Sequence, residues 1–346
     1  MEKRPLVICT DPGIDDFIAL SMVLSRPEFD VLGMVALSGN VGLDVTVNNA
    51  LLACEYHGRA DIPVLAGSAK PLARPVRSAS NIHGKSGLGT SLELYAKGKP
   101  LNKNGADFIV EMAKKYEGKL EILSLGPLTD VAIALQKAPE IAGKLACVTI
   151  MGGGIHAGNA TKYAEFNIVA DPEAASVVFG SSVKTVMIGL DATNLCLQPR
   201  SDIELLRAPT ALGSIVPAML SDYADVYKQV HNIDGMMIHD AICAVYLWRP
   251  ELFTCLPCRM TVCLEEGEHL GQTVPEPGDT CLAATSCDAQ AVRAEILSVM
   301  KAVVTAQDDA KAPRTFSNVR GACMLSDVTS QARLPRFCRV CGASSF

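Results

Sequence analysis

The sequence predicts an α/β fold: a single domain with an open, mostly parallel, Rossmann-like sheet flanked by helices. Short apolar runs, such as residues 6–9 and 147–151, alternate with longer stretches of helical length, such as residues 17–24. Several of the short runs end in polar or glycine-rich residues. Because ligands bind outside the carboxyl ends of the strands in such sheets, we expect the active site at that edge.

The predicted elements alternate between strand and helix over most of the chain. Strands are predicted at residues 6–9, 31–37, 62–66, 120–125, 147–151 and 185–190, and helices at 17–24, 46–56 and 106–116. Residues 70–103 are rich in Pro, Gly, Ser and basic residues, which predicts a long functional loop. We expect the α/β domain to cover residues 1–310 and the weakly periodic, basic residues 311–346 to form a peripheral or poorly ordered tail.

The composition favours small-molecule partners. The chain has 346 residues, of which 49% are hydrophobic, and a net charge of −6, so it can bury a large core. The acidic balance, with no basic run interleaved with aromatic residues, disfavours a nucleic-acid partner. No apolar run is long enough to span a membrane, and residues 1–5, which lead into the first predicted strand, contain no signal-peptide h-region. We therefore expect a cytoplasmic protein without a membrane partner.

Most of the 13 cysteines stand in apolar segments, where free cysteine behaves as a small hydrophobic residue. We expect them to be reduced. Cys255 with Cys258 and Cys338 with Cys341 have zinc-knuckle spacing, but the two pairs are too far apart in sequence for a zinc ribbon. We expect no structural zinc, and a redox or metal role of Cys338 and Cys341 stays open.

Three acids follow the first predicted strand within six positions: Asp11, Asp15 and Asp16. The turn at Pro12 and Gly13 brings them together. Carboxylates this close repel one another unless a cation lies among them, and a hard divalent ion with oxygen ligands, Ca²⁺ or Mg²⁺, is the usual solution. The alternative is that Asp15 and Asp16 are only the acidic first turn of a helix.

A glycine run at residues 152–154 precedes a second polar segment. It lacks the Walker lysine and the Gly-x-Gly-x-x-Gly spacing, so a dinucleotide site is not indicated. Glu165 and Asn167 alternate in a segment that we expect to be extended, so both side chains point the same way and can bind the hydroxyl groups of a sugar. The alternative is a solvated loop in which Asp171 and Pro172 begin a helix.

Two further clusters stand later in the chain. His239 and Asp240 lead into an apolar stretch of helical length, and Tyr223 and Tyr227 are four residues apart on one helical face. Read separately, Asp240 can be a helix cap, His239 a structural histidine and the tyrosines core residues.

Together these motifs resemble the nucleoside hydrolases, the inosine-uridine preferring N-ribohydrolases. The resemblance runs in order from Lys3 to about Val304. The matching motifs are Asp11-Pro-Gly-Ile-Asp15-Asp16, Asn40, Ile82-His83-Gly84, Leu125-Gly-Pro-Leu-Thr129, Met151-Gly-Gly-Gly154, Ala164-Glu165-Phe166-Asn167, Asp171-Pro-Glu-Ala-Ala175 and His239-Asp240.

The resemblance implies hydrolysis of the N-glycosidic bond of a ribonucleoside with Ca²⁺ as the cofactor. The metal ligands would be Asp11, Asp16, Asp240 and the backbone carbonyl of Leu125. Asp11 would also be the general base that takes a proton from the attacking water, and His239 the acid that assists the leaving base. Such chemistry suits the bond, because positive charge builds on the ribose and negative charge on the base.

The remaining matched positions are implied to bind substrate. Those beside the ribose are Asp15, Asn40, Met151, Glu165 and Asn167, and those near the base are His83, Tyr223 and Tyr227. The purine-specific branch of the family stacks the base between tryptophans, whereas this chain has only Trp248, in the apolar helix after His239. The resemblance therefore implies broad or pyrimidine-leaning specificity, with uridine and inosine as substrates, and a homodimer or homotetramer.

Two other functions stay open. A metal-dependent phosphohydrolase can use an acidic cluster such as that around Asp11, although the strand-end motifs contain no basic phosphate ligands. A non-catalytic ribose-binding or nucleoside-binding protein can keep Glu165 and Asn167, but it has no need of Asp11 and His239.

Overall fold

The computed structural model describes residues 2–306, so the predicted tail at 311–346 lies outside the described residues. Within this part, strands β1 to β10 cover Arg4–Thr10, Phe29–Ala36, Val64–Ala66, Leu120–Ser124, Leu145–Met151, Thr185–Ile188, Leu197–Pro199, Gly235–Met237, Phe253–Val262 and Thr273–Cys287. Helices α1 to α11 cover Ile14–Leu24, Leu43–Tyr56, Ser80–His83, Gly105–Lys115, Thr129–Lys137, Phe166–Ala170, Pro172–Gly180, Leu190–Thr193, Ala211–His231, His239–Tyr246 and Ala289–Thr305. None of these helices is long and apolar enough to cross a membrane.

Eight of these strands form one sheet in the order β3-β2-β1-β4-β5-β6-β10-β9. All neighbouring pairs from β3 to β10 are parallel, and β9 pairs antiparallel with β10 at the edge. β7 and β8 form a separate antiparallel pair. The sheet confirms the predicted α/β class with an open, mostly parallel sheet.

The first strand shows why its apolar run is continuous. Leu6 and Ile8 belong to the hydrophobic core on one face of the sheet, and Val7 and Cys9 to the core on the other face. Since successive side chains of a strand point to opposite faces, a strand covered on both sides is apolar at every position. Every residue of α1 is also buried, which accounts for the apolar stretch that follows the acids.

The order of the sheet reverses at β1, with β2 and β3 on one side and β4, β5 and β6 on the other. Such a switch point opens a crevice outside the carboxyl ends of the strands. Asp11 follows β1 directly and Leu125 follows β4. The backbone N–H of Leu125 donates to the carbonyl of Cys9 at 2.8 Å, so these two motifs are held side by side at the crevice.

Most predicted boundaries agree with the structure to within a few residues. The third strand starts at Val64, and the strand predicted at 185–190 ends at Ile188 because Leu190 begins α8. The segment 70–103, predicted as a loop, contains the short helix α3 at Ser80–His83. The sequence predicts Trp248 inside the helix that follows His239. In the structure this helix, α10, ends at Tyr246, and Trp248 lies beyond it.

The prediction that residues 165–167 form an extended segment is wrong. Glu165 is the N-cap of α6, and Asn167 lies in the first turn of that helix. The carboxylate of Glu165 accepts the backbone N–H groups of Asn167 and Ile168, which a helix start otherwise leaves without partners. The two side chains are therefore placed by a helix cap and not by strand alternation.

Candidate active site

A cleft of about 820 Å³ opens at the carboxyl ends of the strands. This volume is within the range usual for small-molecule sites. Its lining includes all of the residues predicted for the site except Asp11 and Asp16: Asp15, Asn40, His83, Leu125, Met151, Glu165, Asn167, Tyr223, Tyr227, His239 and Asp240. Asp11 and Asp16 are both fully buried. The structure thus brings residues from seven sequence motifs to one site, while their roles stay predictions.

Asp16 organises the turn after β1. Its Oδ1 accepts the hydroxyl of Thr10 at 2.5 Å, and its Oδ2 accepts the backbone N–H of Gly13 at 3.0 Å and the side-chain amide of Asn40 at 3.0 Å. Asp16 is also in the first turn of α1, as the alternative interpretation predicted. Helix capping and a place in the acidic cluster are therefore combined in one residue.

The carboxylate of Asp11 is enclosed by backbone. Its Oδ2 accepts the N–H of Asn40 at 2.6 Å. A Cβ atom at Gly39 or at Gly126 would collide with this carboxylate, so both glycines are required by close approach. Oδ1 of Asp11 is buried without a hydrogen-bond partner. An unpaired buried carboxylate oxygen is costly, and a cation is one group that can satisfy it.

Asp15, Asp16 and Asp240 each offer a carboxylate oxygen within 4.8 Å of the others, an arrangement that can hold a metal ion. Over residues 2–306, no other trio of His, Cys, Asp or Glu side chains comes as close. No cysteine in this range therefore belongs to such a group. Oδ1 of Asp15 is buried without a hydrogen-bond partner. An all-carboxylate donor set with an unpaired oxygen fits a hard divalent cation.

The protein alone destabilises the charged form of these acids. Burial, and then the charge of Asp16, raises the pKa of Asp11 well above its usual range and that of Asp15 to about 8. Burial and the neighbouring carboxylates also raise the pKa of Asp240 well above its usual range. Without a cation, several of these groups would take up protons, and a bound cation would restore the charged form.

Asn167 ties two strand ends together beneath the cleft. Its side-chain N–H₂ donates to the carbonyl of Leu125 at 2.7 Å and to the carbonyl of Met151 at 3.0 Å. The carbonyl oxygen of Leu125 has a second lone pair beyond this bond. The side chain of Asn167 thus holds in place the backbone atom that the sequence predicted as a metal ligand.

Glu165 uses its carboxylate mainly to organise the backbone. Besides capping α6, its Oε2 accepts the N–H of Gly153, the middle residue of the glycine run, at 3.0 Å. Burial raises its pKa to about 7 in spite of these hydrogen bonds. The backbone of the glycine run is therefore tied to Glu165 at Gly153.

His83 packs between the acids and the tyrosines. Its Nδ1 accepts the backbone N–H of Ile14 at 3.2 Å and lies 3.9 Å from Oδ1 of Asp15. Its ring is stacked on that of Tyr223, with the centroids 5.5 Å apart. Burial lowers the pKa of His83 to about 4, so the ring is neutral near neutral pH and carries its hydrogen on Nε2.

His239 is held on both sides of its ring. Nδ1 lies 2.8 Å from the hydroxyl of Thr193, and Nε2 lies 3.2 Å from the hydroxyl of Tyr227. The Tyr227 hydroxyl itself donates to the carbonyl of Met237 at 3.3 Å, so its oxygen can accept a hydrogen from Nε2. Burial lowers the pKa of His239 to about 4, and the ring is a neutral donor near neutral pH.

Sequence reasoning missed two residues that position this site. Thr193 holds His239, and its only sequence signal is a polar position after the sixth strand. Asp222 lies beside Tyr223 on α9, and its carboxylate accepts the backbone N–H groups of Thr90 and Ser91 at 2.6 and 2.8 Å. It thereby pins the loop that follows His83.

This arrangement combines acids that can hold a cation with neutral hydrogen-bond donors in the same cleft. A ligand that fits it has hydroxyl groups at one end, for the acids and amides, and a polar ring at the other, for the histidines and tyrosines. The acids can activate water, and the donors can stabilise a departing anion.

Comparison with known proteins gives the same picture. A sequence model of the family described as inosine-uridine preferring nucleoside hydrolase matches residues 6–309. The probable uridine nucleosidase 2 of Arabidopsis thaliana is 35% identical over 257 residues, which is 73% of this chain and 80% of that protein. The non-specific ribonucleoside hydrolase RihC of Escherichia coli strain SMS-3-5 is 35% identical over 281 residues, which is 81% of this chain and 90% of that protein.

A solved structure is also similar. The purine-preferring ribonucleoside hydrolase from Gardnerella vaginalis superimposes with a TM-score of 0.83 at 29% sequence identity. The match covers 87% of this chain and 99% of the other. Over the described residues, the similarity therefore extends to nearly the whole of that enzyme's fold.

Proposed function

The chain belongs to the inosine-uridine preferring nucleoside hydrolase family, whose members are metal-dependent N-glycosyl hydrolases, and on this premise we propose that it is a calcium-dependent enzyme with a defined set of catalytic side chains. Ribonucleoside hydrolysis to free base and ribose follows from the family. The observation that supports the finer proposal is the group of buried carboxylates at the cleft, together with two neutral histidines in its lining.

We propose that Ca²⁺ is held by Asp11, Asp16, Asp240 and the carbonyl oxygen of Leu125. Asp16 and Asp240 belong to the trio of close carboxylates, whereas Asp11 is assigned in place of Asp15 from the family resemblance. All four donors are oxygens, which is the set that calcium prefers. The unpaired buried Oδ1 of Asp11 supports this assignment, as does the free lone pair at the Leu125 carbonyl. When bound, the ion would supply the positive charge that keeps the carboxylates ionised and makes water at the site more acidic.

Asp11 is the proposed general base. Its Oδ2 is fixed by the N–H of Asn40, and its Oδ1 has no protein partner but two lone pairs, so one oxygen holds the orientation while the other can contact the ion and take a proton from water. Gly39 and Gly126, which have no Cβ, let the backbone approach this carboxylate closely. Water so activated attacks the anomeric carbon of the ribose, and the bond from that carbon to the base breaks.

The ribose is proposed to lie against Asp15, Asn40, Met151, Glu165 and Asn167. All five line the cleft. The unpaired Oδ1 of Asp15 supports a role as acceptor of a ribose hydroxyl. Glu165 and the amide N–H₂ of Asn167 are already hydrogen-bonded to backbone, so both side chains are held rigidly. They offer few remaining acceptor positions, which favours a single orientation of the bound sugar.

The leaving base is proposed to lie between His83, Tyr223, Tyr227 and His239. Both histidines are neutral, so they assist the base by donating N–H hydrogen bonds rather than by carrying a charge. For His239 the donor is Nε2, which now faces the Tyr227 hydroxyl. A base that accepts from this nitrogen would be stabilised as negative charge builds on it.

The proposed specificity is broad or pyrimidine-leaning. Two similar proteins are named as a uridine nucleosidase and a non-specific ribonucleoside hydrolase, although a similar structure is named as purine-preferring. The single tryptophan also supports the proposal. The indole N–H of Trp248 donates to Glu295, and the ring packs against Phe29, so this tryptophan is not part of the cleft.

Two further properties complete the proposal: a cytoplasmic location, expected from the sequence, and a homodimer or homotetramer, implied by the family resemblance. Mass determination of the purified protein in solution tests the second. The earlier alternatives of a phosphohydrolase and a non-catalytic binding protein are not retained, because the family and its similar members are nucleoside hydrolases.

The proposed specificity is tested with uridine, cytidine, inosine, adenosine and guanosine as separate substrates, with calcium present and the free base measured by chromatography. We expect turnover of uridine and inosine, with uridine at least as good a substrate by kcat/KM. Turnover confined to purine nucleosides would contradict the specificity, while the absence of free base from all five would contradict the enzyme assignment.

A further inference from the structure

Two cysteines lie in contact near the active site without belonging to it. Cys196 follows α8, and Cys287 is the last residue of β10. Their sulfur atoms are 3.2 Å apart, although the residues are 91 positions apart in the chain. Cys196 is fully buried and Cys287 is half-buried. The two thiols therefore form a preassembled pair with one member partly exposed.

The pair is connected to His239 through a few short contacts. Both thiols lie against the carbonyl of Ala192, with Cys287 Sγ at 3.4 Å and Cys196 Sγ at 3.9 Å. The backbone N–H of Cys196 donates to the carbonyl of Thr193 at 3.2 Å. Thr193 in turn contacts Nδ1 of His239 through its hydroxyl. A movement of Cys196 is thus transmitted to the residue that orients the histidine.

We propose that Cys196 and Cys287 are a modification site, at which a hydroperoxide forms a reversible disulfide that displaces Thr193 from His239 and lowers turnover. A disulfide needs its sulfurs about 2.05 Å apart, so the two atoms must approach by roughly 1 Å. Because Cys196 is bonded through its backbone to the α8 turn, this approach changes the turn that carries Thr193.

The oxidation proceeds in two balanced steps with hydrogen peroxide as the oxidant. Cys287 attacks the peroxide, the O–O bond breaks, and a sulfenic acid and one water are formed. The thiol of Cys196 then attacks the sulfenic sulfur, the S–O bond breaks, and a second water leaves with the thiol proton. Overall, two thiols lose two electrons and two protons to the peroxide, and a dithiol reductant reverses the change.

Exposure and local chemistry agree on which cysteine reacts first. The hydrogen bond from Cys196 lowers the pKa of the Cys287 thiol, against the opposing effects of burial and of Asp288. The same contact and burial raise the pKa of Cys196. Cys287 thus has more thiolate character and is more accessible, while Cys196 is placed to resolve the sulfenic acid.

A second cysteine pair provides an internal control. Cys258 and Cys281 face each other across β9 and β10, but only 1% of each residue is exposed. Hydroperoxide has no direct access to either sulfur there. Of these two cysteine pairs, only Cys196 and Cys287 are therefore expected to react.

The test uses the full-length, calcium-loaded protein treated with hydrogen peroxide, with remaining thiols then blocked and disulfide-linked peptides mapped by mass spectrometry. We expect a peptide that joins Cys196 to Cys287, a fall in kcat on the order of tenfold, and recovery with dithiothreitol. Cys287→Ser should keep its turnover in peroxide, whereas Cys258→Ser should respond as the wild type does.

The peptide map requires no variant and no activity, so it stands even if a substitution prevents folding. If Cys196 and Cys287 stay reduced while other cysteines are oxidised, the proposed site is wrong. If the disulfide forms but kcat does not change, or if Cys287→Ser is inactivated as fast as the wild type, the link to His239 is wrong.

Discussion

The hydroxyl of Thr193 lies 2.8 Å from Nδ1 of His239, and this contact fixes the orientation of the imidazole ring in the cleft. With Nδ1 engaged, Nε2 is the nitrogen directed toward Tyr227, at 3.2 Å. A buried polar side chain held at both ends has one orientation, which is what a group that assists a leaving base requires. The position of His239 thus depends on a residue that takes no proposed part in the reaction.

Replacement of His239 should affect different substrates unequally. We expect His239→Ala to lower kcat by about 10²–10⁴ for the substrate whose base most depends on this donor, and by less for the other. The reason is that purines and pyrimidines place their acceptor atoms differently around the glycosidic bond. Steady-state rates on inosine and uridine measure the effect, and equal losses on both would contradict it.

Thr193→Val serves as the matched control, because it removes the hydroxyl but keeps the imidazole. The loss should be about tenfold or less, the size of one hydrogen bond.

Calcium should stabilise the protein by binding to the cluster of buried carboxylates. At calcium concentrations about 100 times the Kd, binding should add about 2.7 kcal/mol to the free energy of unfolding and raise Tm, and chelation should reverse this. Asp240→Asn should weaken binding and remove most of the shift, because it takes away one of three clustered carboxylates. Thermal unfolding with and without calcium measures both effects.

Asp61→Asn is the matched control, because Asp61 is an exposed acid paired with Arg59 and lies outside the cluster. An equal loss of the calcium shift in both variants would refute the proposed ligand set.

Asp222 should matter for substrate binding although it lines no part of the cleft. Its carboxylate accepts the N–H and hydroxyl groups of Thr90 and Ser91, which anchors the loop that follows His83. We expect Asp222→Ala to raise KM on the order of tenfold with a smaller change in kcat, since an unanchored loop must be ordered on binding. Asp225 lies on the same helix as Asp222 and pairs with Arg200, which is outside that helix. Asp225→Ala breaks this ion pair and should leave KM unchanged.

His57 should make stability depend on pH. Its Nδ1 contacts the carbonyl of Ala53 at 2.8 Å, and its buried Nε2 has no hydrogen-bond partner, so a proton added there would have no acceptor. Burial lowers its pKa to about 4 in the folded protein, below the value of about 6.5 expected when unfolded. As pH falls from about 6.5 to 4, the unfolded state gains the proton and the folded state does not, so stability decreases.

The decrease in the free energy of unfolding caused by His57 is at most about 3 kcal/mol, because its pKa in the folded protein is lowered by roughly 2.5. His57→Gln should flatten the dependence of the free energy of unfolding over this range, measured by denaturant titration. An unchanged slope in the variant would contradict the assignment.

The sequence was sufficient for the parts of the site that follow a local pattern. Asp11 is predictable because a buried strand in a parallel sheet delivers the next polar residues to the ligand edge. The sheet class was predictable for the same reason, since both faces of β1 are covered and the strand is apolar at every position.

The contacts that depend on the folded chain were not predictable. Thr193 meets His239 across 46 residues, and Asp222 meets Ser91 across 131. Neither has a local motif, because their partners are chosen by packing. The extended segment predicted around Glu165 failed because a capping carboxylate competes locally with strand formation, and the helix start was the more stable arrangement.

The most direct measurement is the release of free ribose from uridine and inosine by the wild type and by Asp11→Asn, with calcium, after chelation, and after calcium is restored. We expect ribose from the wild type with calcium, loss of it on chelation, recovery on calcium addition, and at most about a thousandth of that rate from Asp11→Asn. Ribose release that continues after verified removal of the metal, or that is undiminished in Asp11→Asn, would contradict the proposed mechanism.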